Sequence, residues 1–272
     1  MAVQRSDDSR EIAPGVHWVQ ENGPDRSDFV AGGPLPEWYD PEQSLHIAQN
    51  AYVIDDERSL LFDTLSPAST DCVLEATDRL LDDGLDYVVV SHPDVPHAGN
   101  APALLREYPE AELVAPRYGD THELYHLEDA LQVGAGDSLD LGEHTVAFHE
   151  ATFPDASLHM WMTEEKTDTF FPVDWLGYPH MERESLLFAD EFDAPLTVDR
   201  LVQFHGRVLF WFQYLDVPKL GREVDRLVEE FDPAMVAPAH GNPVREDTRE
   251  FMSMTKATAE RVDEQGRVGT LG

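Results

Sequence analysis

The sequence predicts one layered domain of the α+β class, in which strands are interleaved with helices. Three observations carry this expectation. Short apolar runs of strand length alternate with stretches of helical spacing. The alternation occurs in two successive halves, each with a histidine-bearing loop directly after a strand. No linker-like or low-complexity segment divides the chain, so residues 1–272 are expected to form one domain, with a core of about 11–245 and a C-terminal helix of about 245–262.

Taken in order, residues 16–19 read as a short strand and the Pro/Gly/Asp-rich stretch 23–41 as a long loop. Runs 50–54 and 60–64 flank the turn-like Asp55-Asp56-Glu57, a hairpin signature. Segment 71–82 sets Val73, Leu74, Ala76, Leu80 and Leu81 at helical spacing and closes at Gly84. The apolar run 87–90 suits a buried strand. Immediately after it, Ser91-His92-Pro93-Asp94-Val95-Pro96-His97 reads as a loop, because two prolines disfavour a regular helix or an inner strand. Helix 101–108, strand 112–115 and helix 120–130 follow. The second half is read as strands 145–151, 158–163 and 169–173, helices 197–214 and 219–231, and strand 235–237. The loop Pro238-Ala239-His240-Gly241 and an amphipathic helix over 245–261 complete the chain.

Composition narrows the function classes. Acidic residues number 54 against 19 basic ones, for a formal charge of -35, and the only lysines are Lys166, Lys219 and Lys256. Such a surface repels nucleic-acid phosphates and anionic lipid heads, so neither nucleic acid nor membrane is an expected partner. At molar salt the Debye length shrinks to roughly 3 Å and the self-repulsion is screened, so the composition is read as an adaptation to a halophilic cytoplasm. A single cysteine, Cys72, excludes an intramolecular disulfide and a thiolate zinc cluster. The first ten residues lack the apolar stretch of a signal peptide, and no run of about 18 apolar residues marks a membrane span. A cytoplasmic location is expected.

Chemistry concentrates in the histidine-bearing loops. His92 and Asp94 occupy alternate positions of an extended loop, where side chains project to one side, and His97 can turn back toward the same point. Neutral imidazole with carboxylate suits iron, zinc or manganese.

Neighbouring segments sharpen this reading. Gln49-Asn50-Ala51-Tyr52-Val53-Ile54, Leu61-Phe62-Asp63-Thr64, Asp86-Tyr87-Val88-Val89-Val90-Ser91-His92, Phe153-Pro154-Asp155, Phe171-Pro172-Val173-Asp174-Trp175-Leu176-Gly177 and Ala237-Pro238-Ala239-His240-Gly241 occur in this order. Together they resemble the metallo-β-lactamase superfamily, and more narrowly the oxygen-binding di-iron domain of flavodiiron proteins, from about residue 12 to 244. The resemblance implies an αββα sandwich with metals at the sheet edges, held by loop histidines and carboxylates and bridged by one aspartate.

Under that resemblance His92, Asp94, His97, Asp174 and His240 are the metal ligands, Asp174 being the bridge. Asp94 stands where flavodiiron proteins have glutamate. Pro96 replaces a motif aspartate, and Thr152 replaces the third-strand histidine. The expected cofactor is therefore one strongly bound iron with a weaker second site, with zinc or manganese as alternatives. Asp94 and Asp174 are expected to take part in catalysis. Phe204-His205-Gly206-Arg207 falls where flavodiiron proteins carry paired tyrosines, so His205 is read as a proton donor or replacement ligand, against the alternative of a histidine on a helix surface. Asp63 is expected to support the metal loops through hydrogen bonds. His149 and His159, on strands beside the Thr152 position, read as ordinary strand residues that compensate for Thr152 only if the strand register allows, and Phe210, Trp211, Phe212 and Tyr214 read as core.

The function so implied is an oxidoreductase acting on oxygen, nitric oxide or peroxide. Expected partners are a small-molecule substrate, a separate electron-donor protein and a second copy of the chain. A metallohydrolase of an ester, lactone or phosphoester and a non-catalytic pseudo-enzyme or sensor are the alternatives.

Overall fold

A computed structural model describes residues 8–30, 35–117, 130–155 and 158–265. The strands are β1 (Ser9–Ala13), β2 (Val16–Glu21), β3 (Leu45–His46), β4 (Gln49–Ile54), β5 (Leu60–Phe62), β6 (Tyr87–Val89) and β7 (Glu112–Pro116). They continue with β8 (Leu131–Val133), β9 (Ser138–Asp140), β10 (Thr145–Glu150), β11 (Met160–Glu164), β12 (Thr169–Phe171), β13 (His180–Met181) and β14 (Met235–Val236). The α-helices are α1 (Thr70–Leu80), α2 (Val95–Ala98), α3 (Ala101–Glu107), α4 (Val198–His205), α5 (Val217–Phe231) and α6 (Thr248–Gln265). The chain divides into two compact units, the first built from residues 1–21, 49–152 and 156–168 and the second from 22–48, 153–155 and 169–272.

In the first unit a seven-stranded sheet runs β1-β2-β4-β5-β6-β7-β8. Its β1, β2, β4 and β5 pair antiparallel, while β5 through β8 pair parallel. Parallel neighbours need a crossover, which α1 supplies between β5 and β6 and α3 between β6 and β7. Because strand side chains alternate, Val53, Leu61 and Val88 fall on one face and join Val73 and Ala76 of α1 and Leu104 of α3 in one buried cluster. Strands β9, β10 and β11 form an antiparallel meander in the same unit.

The second unit pairs β12 with β14 in parallel and β3 with β13 antiparallel. Helix α5 buries Leu220, Val224, Leu227 and Val228, a stripe at three- and four-residue spacing. Helix α6 packs against both α4 and α5. Arg200 of α4 is wholly buried and forms a two-pronged ion pair with Glu184, at 2.7 and 2.8 Å. The rings of Trp38 and Phe192 stack on its guanidinium.

The sequence expectations for 16–19, 50–54, 60–64, 71–82, 87–90, 101–108, 112–115, 145–151 and 219–231 each find their element within a residue or two. Four differ. Residues 95–98 of the expected loop form a helical turn, because Pro96 sits in the first turn, where a backbone N–H has no intrahelical acceptor. The helix expected over 197–214 stops at His205 and is followed by a separate 3₁₀ turn, Phe210–Tyr214, the break falling at Gly206, a poor helix former. Within that turn Phe212 is buried, but Phe210 and Tyr214 are exposed, so the aromatic run is only partly core. Segments 9–13, 131–133 and 138–140 carry short strands that the sequence reading does not assign. The expected helix 120–130 lies outside the described residues, save Ala130.

Candidate functional site

Two sets of histidines and aspartates stand out, one in each unit. In the first unit the parallel strands β5 and β6 end side by side, and the loops beyond them carry Asp63 and His92. Asp63 follows β5 directly, with its N–H donating to the Val89 carbonyl at 2.8 Å and a left-handed φ of 60°. That turn aims its carboxylate at the next loop. Oδ1 accepts from the Ser91 N–H at 2.9 Å, and Oδ2 lies 2.7 Å from His97 Nδ1. Because an ionised carboxylate only accepts, His97 Nδ1 carries a proton, which leaves Nε2 as the ring atom able to offer a lone pair. This is the arrangement by which a carboxylate orients a metal-binding imidazole.

The helical turn α2 exists to bring His97 back. Its carbonyl accepts from both the Thr64 N–H and the Thr64 hydroxyl, each at 2.9 Å. Asn100, fully buried, closes the same corner by donating to the carbonyls of Thr64, Leu65 and Ser66. His92 and His97 are buried with ring centroids 4.0 Å apart. His159, just before β11, stacks on His92 at 4.3 Å with nearly parallel planes, and their ligand nitrogens lie within 4.8 Å of each other. It is placed there by the Met160 N–H donating to the Ser91 carbonyl.

Three imidazoles thus gather in this unit, and one of them was read from the sequence as an ordinary strand residue. Asp94 does not join them. Its side chain is exposed at the N-cap of α2, where its carbonyl accepts from the His97 and Ala98 N–H groups. His149 stays on its strand, paired with Thr163 at 2.8 Å.

In the second unit Asp174 and His240 face each other with Oδ1 and Nε2 3.0 Å apart, both buried. His240 Nδ1 lies 2.6 Å from the Ala48 carbonyl, to which it must donate, so Nε2 is the ring atom that faces the carboxylate. Two electron-pair donors at that distance repel unless a proton or a cation lies between them. Asp155 offers a second carboxylate, with an oxygen within 4.8 Å of one from Asp174. In the sequence Asp155 stands out only as the last residue of one segment of the family resemblance. Its signal was there, in Phe153-Pro154-Asp155.

Asp174 stands on a turn of unusual backbone. Val173 and Leu176 adopt left-handed φ values of 59° and 70°, costly for residues that bear a branched side chain. His205 is neither on a helix surface nor open to a metal. It is fully buried, its Nδ1 meets the Leu201 carbonyl at 2.9 Å, and its Nε2 accepts from the Leu176 N–H at 3.2 Å. Both ring nitrogens are occupied, which overturns the reading of His205 as proton donor or replacement ligand. Burial pulls its pKa down to about 4, so the ring is neutral at ordinary pH.

The donor set fits a metal ion of the iron or zinc kind. It comprises imidazoles with one nitrogen already committed to a fixed hydrogen bond, and carboxylates held close to one another in a buried setting.

Residues 46–243 match the model of the metallo-β-lactamase superfamily. The chain belongs to that superfamily, and its fold is the αββα sandwich. Among characterised relatives it is 28% identical over 248 residues to the nitric oxide reductase of Moorella thermoacetica, covering 87% of this chain and 57% of the relative. It is 31% identical over 201 residues to the rubredoxin-oxygen oxidoreductase of Megalodesulfovibrio gigas, covering 71% and 48%. The chain thus spans about half the length of these relatives. Its fold superposes on the metal-soaked flavodiiron core of a Synechocystis protein with a TM-score of 0.70 at 20% identity, covering 93% of this chain and 60% of that one. Among the described residues no helix is long and apolar enough to cross a membrane.

Proposed function

We propose that the chain is an oxidoreductase of the flavodiiron type that reduces oxygen or nitric oxide with iron held by its histidines and aspartates. The candidate ligands we assign are His92, His97 and His159 in the first unit and, taken by themselves, Asp155, Asp174 and His240 in the second. In the first unit His159 takes the part that the missing histidine at Thr152 would have played, and in the second Asp155 adds a carboxylate beside Asp174.

One observation carries the reading. His97 and His240 each have Nδ1 tied to a fixed acceptor, which leaves Nε2 as the donor in both rings. Bound iron would supply electrons to a diatomic ligand; the chain's own residues hold, orient and bury the ligand atoms. Relatives named as nitric oxide reductase and rubredoxin-oxygen oxidoreductase agree in reaction class. Electrons would come from a separate protein, and the acidic surface is read as an adaptation to high salt.

The test is direct. Protein loaded with ferrous iron and supplied with a chemical electron donor should consume oxygen or nitric oxide in an electrode chamber, and His97→Ala should abolish it. Loaded protein that consumes neither gas would refute the assignment.

A further inference from the structure

The turn that carries Asp174 is held from outside by the last two residues of α4. Gly177 lies so close to Phe204 that a Cβ there would come within 2.4 Å of the ring. The next residue, His205, caps the buried Leu176 N–H with Nε2 while its Nδ1–H is anchored on Leu201 of its own helix. That anchor fixes the tautomer. Without it the ring could present N–H to N–H and push the turn away. The turn needs such a hold, since Val173 and Leu176 flank Asp174 in left-handed conformations that relax when their hydrogen bonds are lost. The same turn is tied to the His240 loop by the Ala239 N–H on the Val173 carbonyl and the Tyr178 N–H on the His240 carbonyl, both at 2.8 Å. A shift of the turn therefore moves Asp174 and His240 together.

We infer that His205 is a positioning residue for the Asp174–His240 pair, setting metal affinity through the Leu176 N–H without touching the metal. The inference rests on the metal-binding reading above. It assigns to a buried imidazole a role distinct from that of ligand or proton donor.

Cobalt(II) titration of the metal-free chain, followed by ligand-field absorption and by competition with a chelator, tests it. His205→Leu removes the acceptor and should weaken cobalt binding at least tenfold with a shifted visible band, a loss of the size seen when groups supporting metal ligands are removed. His205→Gln, whose amide oxygen reaches the Leu176 N–H, should restore affinity to within about threefold of the parent. Leu220→Ala, a core truncation on α5, should lower thermal stability yet leave affinity and spectrum unchanged. Should His205→Leu fail to fold, His205→Asn takes its place, since its shorter amide falls short of Leu176 and should bind more weakly than His205→Gln. Parental affinity in His205→Leu, or equal affinities for the Asn and Gln variants, would overturn the inference while leaving the metal site standing. A parent that binds no cobalt overturns both.

Discussion

Asp63→Asn separates orientation of a ligand from ligation itself. The carboxylate spends one oxygen on the Ser91 N–H and the other on His97 Nδ1, at 2.9 and 2.7 Å. An amide has one acceptor and one donor end. With its oxygen kept on Ser91, the NH2 group faces His97, Nδ1 must become the acceptor, and the proton moves to Nε2, the atom offered to metal. With the amide reversed, the buried Ser91 N–H meets a second donor. Either way His97 loses its preset lone pair or its loop loses a backbone bond.

Loss of such a carboxylate partner costs about 10- to 100-fold in metal affinity, roughly 1.4 to 2.7 kcal/mol. The assay is a chelator competition with zinc or cobalt on metal-free parent and variant, alongside a denaturation midpoint to confirm that the variant is folded. An affinity within about twofold of the parent, in a folded variant, would refute the claim that Asp63 sets the His97 tautomer.

Three further outcomes are expected. Glu184→Ala leaves the buried Arg200 guanidinium without its carboxylate and should lower unfolding free energy by about 3–5 kcal/mol, read by urea titration in high salt; a loss below about 1 kcal/mol would show the pair to be dispensable. Gly177→Ala forces a methyl group against the Phe204 ring and should cost about 1–3 kcal/mol, measured the same way, and an unchanged midpoint would contradict the packing described. Burial depresses the His205 and His180 pKa values to about 4 and about 3, so their contribution is intact above pH 6.5 and is lost as the unfolded chain takes up protons between 6.5 and those values. That loss is of order 3 kcal/mol for His205 and of order 5 kcal/mol for His180, and His180→Asn should flatten the acid limb of the stability curve; an unaltered slope would exclude His180 as a source.

The surface charge yields one more expectation. With a formal charge of -35, self-repulsion should make the chain more stable in molar KCl than in dilute buffer, and equal midpoints by circular dichroism would remove the high-salt reading.

Much of the fold was legible because its strands and helices announce themselves by period. The hairpin of β4 and β5, and α1, with its stripe of Val73, Ala76 and Leu80, are examples. Strand β9 was not legible, since Ser138 to Asp140 carries no apolar alternation and is strand only because β10 pairs with it. At the site, His92, His97, Asp174 and His240 were legible from motif order. His159 was legible only as a residue whose part depended on strand register, and it is that register, not local sequence, that puts it against His92. Asp94 misled because alternation of side chains holds for an extended loop, whereas Pro96 lies in a helical turn whose His97 and Ala98 N–H groups bond the Asp94 carbonyl and leave the residue exposed. His205 lay on the right helix, but the hydrogen bonds that fill both of its nitrogens come from Leu201 and from a turn 29 residues away in the chain.

Asp174 is the residue on which the proposed metal binding depends most. Iron content should be measured by mass spectrometry on parent and Asp174→Ala protein, both purified without oxygen in high salt and offered ferrous iron. Iron bound by the parent and absent from the folded variant is the predicted result; a parent that retains none, or a variant that retains as much, contradicts it.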